Sequence, residues 1–161
     1  MARHAFYALH YAEDRTRAAG ILASRALIAN TEASQAEWAK LQRSGDFAIQ
    51  RWVENQLKGR SCLVVLIGTH TSSRPWVQYE IKRAKQLKLA LLGVRIHRLH
   101  DAHGQASEPG ENPFAHPNAG LAEDAQSVPV YDPPDADNAT VYRYIVDNIA
   151  QWADDAVDQQ A

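Results

Sequence analysis

The sequence predicts an α/β fold built as a mostly parallel sheet with helices on both faces. Three observations predict it. Two short apolar runs, Cys62–Ile67 (CLVVLI) and Leu89–Ile96 (LALLGVRI), lack the alternation of a half-exposed strand, as strands covered on both faces do. Stretches with apolar residues at helical spacing lie between and around them, so strands and helices alternate along the chain. The 161 residues, 45% hydrophobic and 22% charged, suffice for one domain with a substantial core and are too few for two comfortable ones. A single domain over 1–161 is therefore expected.

Arg3–Tyr11 (RHAFYALHY) is expected as the first strand. Glu13 to about Asn30 follows as a helix, with Ala18, Ile21, Leu22, Ala26 and Ala29 at helical spacing and arginines on the other face. Thr31–Gly45 is a mixed connection with room for a helical piece around Trp38. Asp46–Leu57 places Ile49, Trp52, Val53 and Leu57 on one helical stripe, with Asp46 as cap and Gly59 past the end. After the strand Cys62–Ile67, Pro75 sits where a first helical residue tolerates proline, with Ser72 and Ser73 as candidate caps. Val77, Ile81 and Ala84 give that helix its inward stripe, and Leu89–Ile96 is the next strand. His97–Gly120, rich in His, Gly and Pro, reads as a long loop, a mobile contact surface or lid. Ser127–Tyr131 is expected as a short edge strand, because Pro129 cannot donate to a central ladder. Thr140 to about Asp154 closes the chain as a helix with Val141, Ile145, Ile149 and Trp152 inward. This order argues for a doubly wound, flavodoxin-like sheet.

A net charge of −2 leaves no electropositive footprint for nucleic acid or an anionic membrane. No run approaches the ~18 apolar residues of a membrane span. MARHAFYALHY has no apolar signal region with a small-residue cleavage site, so a cytoplasmic location is expected. The single cysteine, Cys62, leaves no internal disulfide and, inside an apolar strand, reads as core filler.

In a doubly wound sheet the strand C-termini share one rim, and ligands bind there. That rim would bring together His10 and Tyr11 after the first strand, Thr69–Arg74 after Cys62–Ile67 and the His-rich loop after Leu89–Ile96, giving an expected pocket of Tyr7, His10, Tyr11, His70, Trp76 and Glu80. Glu80 falls roughly 80° from the centre of the Val77/Ile81/Ala84 stripe, at the border of the packed face. Two readings follow. It is a partly solvated glutamate near the positive end of its helix, stabilising by about a few tenths of a kcal/mol. Alternatively it is a lone carboxylate beside an aromatic wall, suited to glycosidic cleavage through an oxocarbenium-like transition state. With a leaving group as good as a positively charged nicotinamide, one carboxylate is enough.

His97, His100 and His103 recur every third residue, with His116 beyond, but no cysteine ligands or HExxH helix accompany them, and no metal site is expected. Neither GxGxxG, GxxxxGK[ST] nor GxSxG occurs, which argues against Rossmann dehydrogenases, P-loop enzymes and α/β-hydrolases. Trp38, Trp52 and Trp152 fall on helical stripes and read as core, whereas Trp76 reads equally as core or as ligand platform.

VVLIGTHTSSRPWVQYEIKRA, then LLGVRIHRLHDAHGQASEPGENPF, resembles the bacterial TIR-like domains of the Thoeris anti-phage defence system. So do the D-x-x-I-x-R-W-V run from Asp46 and the opening FYALHY; the resemblance covers about 3–115, and 118–161 would complete the sheet and add a helix. It implies a TIR fold and an enzyme that cleaves the nicotinamide–ribose bond of NAD+. The product would be a cyclic or conjugated ADP-ribose signal nucleotide that reaches a separate effector protein by diffusion. It implies Glu80 as catalytic residue, with Tyr7, Ala8, His10 and Tyr11 bordering the nucleotide and Asp46 as a further carry-over. By the same resemblance NAD+ would be the substrate, no cofactor would be required, and self-assembly into a homo-oligomer is expected. The family's serine in the first-strand motif is Ala8 here, so a hydroxyl able to position the substrate is absent. A non-catalytic interaction module and a nucleoside ribosyl-transferring enzyme of similar fold are the alternatives.

Overall fold

The computed structural model describes residues 3–29 and 34–160. Five strands, β1 (His4–Ala8), β2 (Ile28–Ala29), β3 (Cys62–Ile67), β4 (Ala90–Arg95) and β5 (Val130–Tyr131), form one sheet in the order β2-β1-β3-β4-β5. Every pairing is parallel, and the central register sets Ala5 beside Cys62 and Cys62 beside Ala90. The fold is α/β and flavodoxin-like.

The apolar runs become strands because both faces are covered. Cys62, Val64 and Leu66 point into a core completed by Ala18 and Ile21 of α1 (Tyr11–Ala23) and by Val141, Ile145, Ile149 and Trp152 of α5 (Asn138–Gln160). Leu63, Val65 and Ile67 face Ile49 and Val53 of α3 (Asp46–Leu57) and Val77, Ile81 and Ala84 of α4 (Pro75–Gln86). Each fully buried Leu, Ile or Val stabilises by about 1.5–3 kcal/mol relative to exposure. Cys62 is fully buried, and burial pushes its thiol up to about 11, as befits packing rather than nucleophilic duty.

Several boundaries differ from expectation. The first strand stops at Ala8, and α1 begins at Tyr11. That helix ends at Ala23, not near Asn30, because Ser24 leaves the helix in an extended conformation with its hydroxyl donating to the Ile21 carbonyl (2.8 Å). Ile28 and Ala29 then form an edge strand beside β1, too short to show a period. The expected helix end at Asn30 and the start of the Thr31–Gly45 connection lie outside the described residues. The remainder of that connection is α2 (Gln35–Ser44), whose N-cap Ser34 accepts from the Glu37 amide. Asp46 is the first residue of α3 rather than its cap, which is Gly45 in a positive-φ conformation. Ser72 and Ser73 lie in a 3-10 turn (Thr71–Ser73), and Arg74 is the cap position of α4. α5 starts at Asn138, with Asp137 Oδ1 accepting from the Thr140 amide (2.8 Å), and continues to Gln160 because Ala153 and Ala156 extend its buried stripe.

The His97–Gly120 segment is held to the rest of the fold at several points. Phe114 is buried against Gly93, whose missing side chain makes the room. Thr69 donates to the Glu108 carbonyl (2.5 Å), Arg95 donates to the Gly110 carbonyl (2.6 Å), and Gly110 rests on the Gly68 and Thr69 carbonyls too closely for any side chain. Gln78 donates to the Ser72 carbonyl (2.9 Å), sits 3.2 Å from His116 Nε2 and accepts from Asn118. Backbone otherwise costly to bury is thereby satisfied.

Candidate active site

A cavity of about 280 Å3 opens at the C-terminal rim of β1 and β3, where a parallel sheet binds ligands. The end of β1 and the start of α1 supply Tyr7, Leu9, His10, Tyr11 and Arg15. The start of α4 supplies Arg74, Pro75, Trp76 and Glu80, because the proline at N1 begins the helix directly below the rim. Trp38 and Gln42 of α2 and Ile49 and Trp52 of α3 close the outer side.

Glu80 dominates the electrostatics. As a residue it is partly exposed, yet its Oε2 is dry and has no hydrogen-bond partner. Burial alone pushes its carboxyl up to about 8, so it is held largely protonated at neutral pH. Three tryptophans share its cavity wall: Trp38 meets Trp52 edge-on at 6.5 Å, and Trp76 meets Tyr79 at 5.6 Å. A buried acid whose shift comes from burial alone, in a wall that carries tryptophans, suits a ligand cation.

A second polar group borders the cavity. His10 Nδ1 is buried, makes no hydrogen bond, and lies 3.5 Å from Glu13 Oε2. Glu13 in turn has both carboxylate oxygens 2.9 Å from His70 Nδ1. Burial and the nearby Arg74 guanidinium hold the His10 imidazole below its ordinary range, against the pull of Glu13 and Asp14. Burial would raise Glu13, but its bond to His70 and the neighbouring imidazoles bring it below the usual carboxylate value.

Behind this group Asp14 is buried against Gly68, and its Oδ1 accepts from Arg17 (3.1 Å). Burial raises the Asp14 carboxyl despite Arg17. Arg17, expected on a solvated helix face, is instead buried and donates to the carbonyls of Leu99 (3.0 Å) and Gln105 (3.1 Å). It ties the loop after β4 to α1.

Of the expected residues, Tyr7, His10, Tyr11, Trp76 and Glu80 share the cavity wall. Ala8 is buried in the layer with Ile49 and Val77 and is not on that wall. Asp46 is exposed at the head of α3, and His70 is exposed at the rim, joined to the site through Glu13. Trp38, Trp52, Arg15 and Arg74 join the wall without having been expected there. A signal for Trp38 is present in the S-x-x-E pair of Ser34 and Glu37, which starts a helix, with Trp38 and Leu41 on one side of it. Among the described residues no group of three or more His, Cys, Asp or Glu side chains is arranged to hold a metal ion, and no helix is long and apolar enough to cross a membrane.

Residues 6–101 match the family model described as the TIR-like domain of the Thoeris protein ThsB. The chain belongs to the Thoeris ThsB TIR-like family. The match runs from within β1 through β4, and so covers the whole wall of the cavity. Among curated proteins, this ThsB TIR-like chain is similar to "Putative cyclic ADP-D-ribose synthase ThsB1" of Bacillus cereus (strain MSX-D12), 28% identical over 95 residues. That alignment covers 59% of the chain and 50% of the relative, so the chain spans about half the length of the curated protein it matches. β5 and α5 lie beyond the family match and complete the sheet and its covering layer.

Proposed function

We propose that this TIR-like chain cleaves the nicotinamide–ribose bond of NAD+ and forms a cyclised ADP-ribose nucleotide, with Glu80 as catalytic residue. The observation that carries the reading is Glu80 in the wall of an aromatic-lined cavity at the sheet rim, with its Oε2 buried and without a hydrogen-bond partner. The pyridinium ring of NAD+ is a cation with a flat apolar face, and the three tryptophans suit that face. A cation beside Glu80 favours the carboxylate, so binding releases a proton and creates negative charge where the ribosyl cation develops. Nicotinamide then leaves as a neutral base, without a partner acid. Arg15 and Arg74 at the mouth suit the pyrophosphate. The relative's printed name, a cyclic ADP-D-ribose synthase, supports the cyclised product.

Assembly of copies and a diffusible product acting on a separate effector protein belong to the same proposal and rest on the family resemblance; no prosthetic group is required. The test is purified protein incubated with NAD+, with and without lysate of phage-infected cells, against Glu80→Gln. Nicotinamide release should fall by about 100-fold or more in the variant. Absence of Glu80-dependent NAD+ loss in both conditions would sink the enzyme reading and leave an assembly module.

A further inference from the structure

The cavity contains two separate polar devices. Glu80 serves bond breaking, and nothing in that step needs His10, Glu13 or His70. Yet two imidazoles converge on one carboxylate, and one of them, His10, lines the cavity. His10 lines the cavity with a side chain only 11% exposed and its Nδ1 turned toward Glu13; Glu13 is 41% exposed, and His70, at 62%, holds both of its oxygens. As fold stabilisation this makes little sense. Exposed ion pairs contribute about 0–1 kcal/mol, and a buried imidazole nitrogen without a bond costs more than that. As an acid–base device the arrangement is coherent: the Glu13 carboxylate, 3.5 Å from Nδ1, is placed to pair with that nitrogen once the imidazole takes up a proton, and the other nitrogen is left to a ligand.

Resting on the NAD+-cleaving reading, we propose that His10 is the base for the bond-forming half of the reaction, with Glu13 and His70 as positioning residues. The carbon–nitrogen bond to nicotinamide breaks first, and nicotinamide leaves with the electron pair. A ribose hydroxyl elsewhere in the bound dinucleotide gives a lone pair to the anomeric carbon. As the carbon–oxygen bond forms, the hydroxyl proton passes to His10 Nε2. The Glu13 carboxylate balances the resulting imidazolium, which then returns its proton to water. The net products are nicotinamide, a cyclised nucleotide and a proton. Glu13, Asp14, His70 and Arg74 are the charged groups around His10, and Arg74 together with burial keeps the resting imidazole neutral and ready to accept.

Without that base, the acceptor hydroxyl loses its advantage over water, which captures the ribosyl cation unaided. The readout is therefore the ratio of cyclised product to linear ADP-ribose, measured by mass, which is independent of the total rate. His10→Asn should lower that ratio by about tenfold or more, Glu13→Gln by a smaller factor in the same direction, and His70→Gln least. Glu80→Gln should slow nicotinamide release while leaving the ratio of the residual products as in wild type. The exposed Glu13 and His70 variants read the same ratio should His10→Asn fail to fold. Wild-type ratios in Glu13→Gln and His10→Asn would overturn the inference while leaving NAD+ cleavage intact. No nicotinamide release by the wild-type chain, with or without infected-cell lysate, would overturn both, and that arm distinguishes the two failures.

Discussion

Glu80→Gln should change the pH dependence of stability in the sense opposite to an ordinary surface carboxylate. In the unfolded chain Glu80 has its usual value of 4.5, and in the fold burial brings it to about 8. Between those limits the native state keeps a proton that the unfolded state has lost. Stability contributed by this site is therefore full below about pH 4.5, falls as pH rises through the window, and levels off above about 8. At about 1.4 kcal/mol per unit, the difference corresponds to an upper bound of about 5 kcal/mol, reduced to about 2–4 kcal/mol by water that reaches the cavity. The variant's amide does not titrate, so every other group cancels when wild type and variant are compared at two pH values. Thermal unfolding of both proteins at pH 5 and pH 9 reads the difference directly. For a domain of this size about 2–4 °C corresponds to 1 kcal/mol, so the variant should gain about 5–15 °C over wild type on going from pH 5 to pH 9. Parallel pH curves would refute the claim that the carboxyl is dry, and with it the inference that Glu80 awaits a cationic partner. A stabilised but inactive variant is the expected signature of a site strained for function.

Arg17→Met should destabilise by about 3 kcal/mol, since it leaves Asp14 buried without its cation and two loop carbonyls without donors; Asp14→Asn in that background should recover part of the lost melting temperature. Gly110→Ala should lower the melting temperature by the equivalent of about 1–3 kcal/mol, because the added methyl would sit 2.2 Å from the Gly68 carbonyl oxygen and the backbone there has nowhere to move. Arg74→Ala should raise KM for NAD+ by about tenfold and leave KM for nicotinamide riboside, which has no phosphate, little changed; equal effects on both would remove the phosphate role.

The sheet was legible because Cys62–Ile67 and Leu89–Ile96 are buried on both faces and carry no ambiguity of period. Glu80 was legible in position, but its electrostatics were not: angular spacing puts it at a solvated border, whereas in the fold its Oε2 is buried and it shares a cavity wall with Trp38 of α2 and Trp52 of α3, distant in sequence. Trp38 and Trp52 read as core for the same reason, since a helical stripe does not distinguish a packed face from a face left open over a cavity. The Asp14–Arg17 pair is hidden because an arginine on a helix reads as solvated until the Leu99–Gln105 loop is folded over it. Ile28–Ala29 is too short for any periodic signal, and pairing with β1 is what makes it a strand. The loop from His97 to Gly120 reads as mobile by composition, yet its carbonyls, Phe114 and Gln78 contacts fix it through interactions that no local pattern encodes.

Unsatisfied buried groups fall where those sequence rules fail. Among the described residues, His10 Nδ1, Asp14 Oδ2, Glu80 Oε2 and His97 Nδ1 are buried without a hydrogen-bond partner; His10, Asp14 and His97 follow the C-terminal ends of β1 and β4, and Glu80 lines the cavity at the rim of β1 and β3. Each such group costs about 1–3 kcal/mol, so their concentration on one rim is not what a fold selected for stability alone would show. Among them Asp14 has Arg17, while His10 and His97 are neutral groups that burial keeps neutral. Glu80 differs: its shift arises from burial with no neighbouring charge to offset it. The partner that would restore its ordinary acidity is a cation with an apolar body small enough for a cavity of about 280 Å3. Under the proposed function a pyridinium riboside would supply that charge and shape, and its departure as a neutral ring would leave the positive charge on the ribose beside the Glu80 carboxylate.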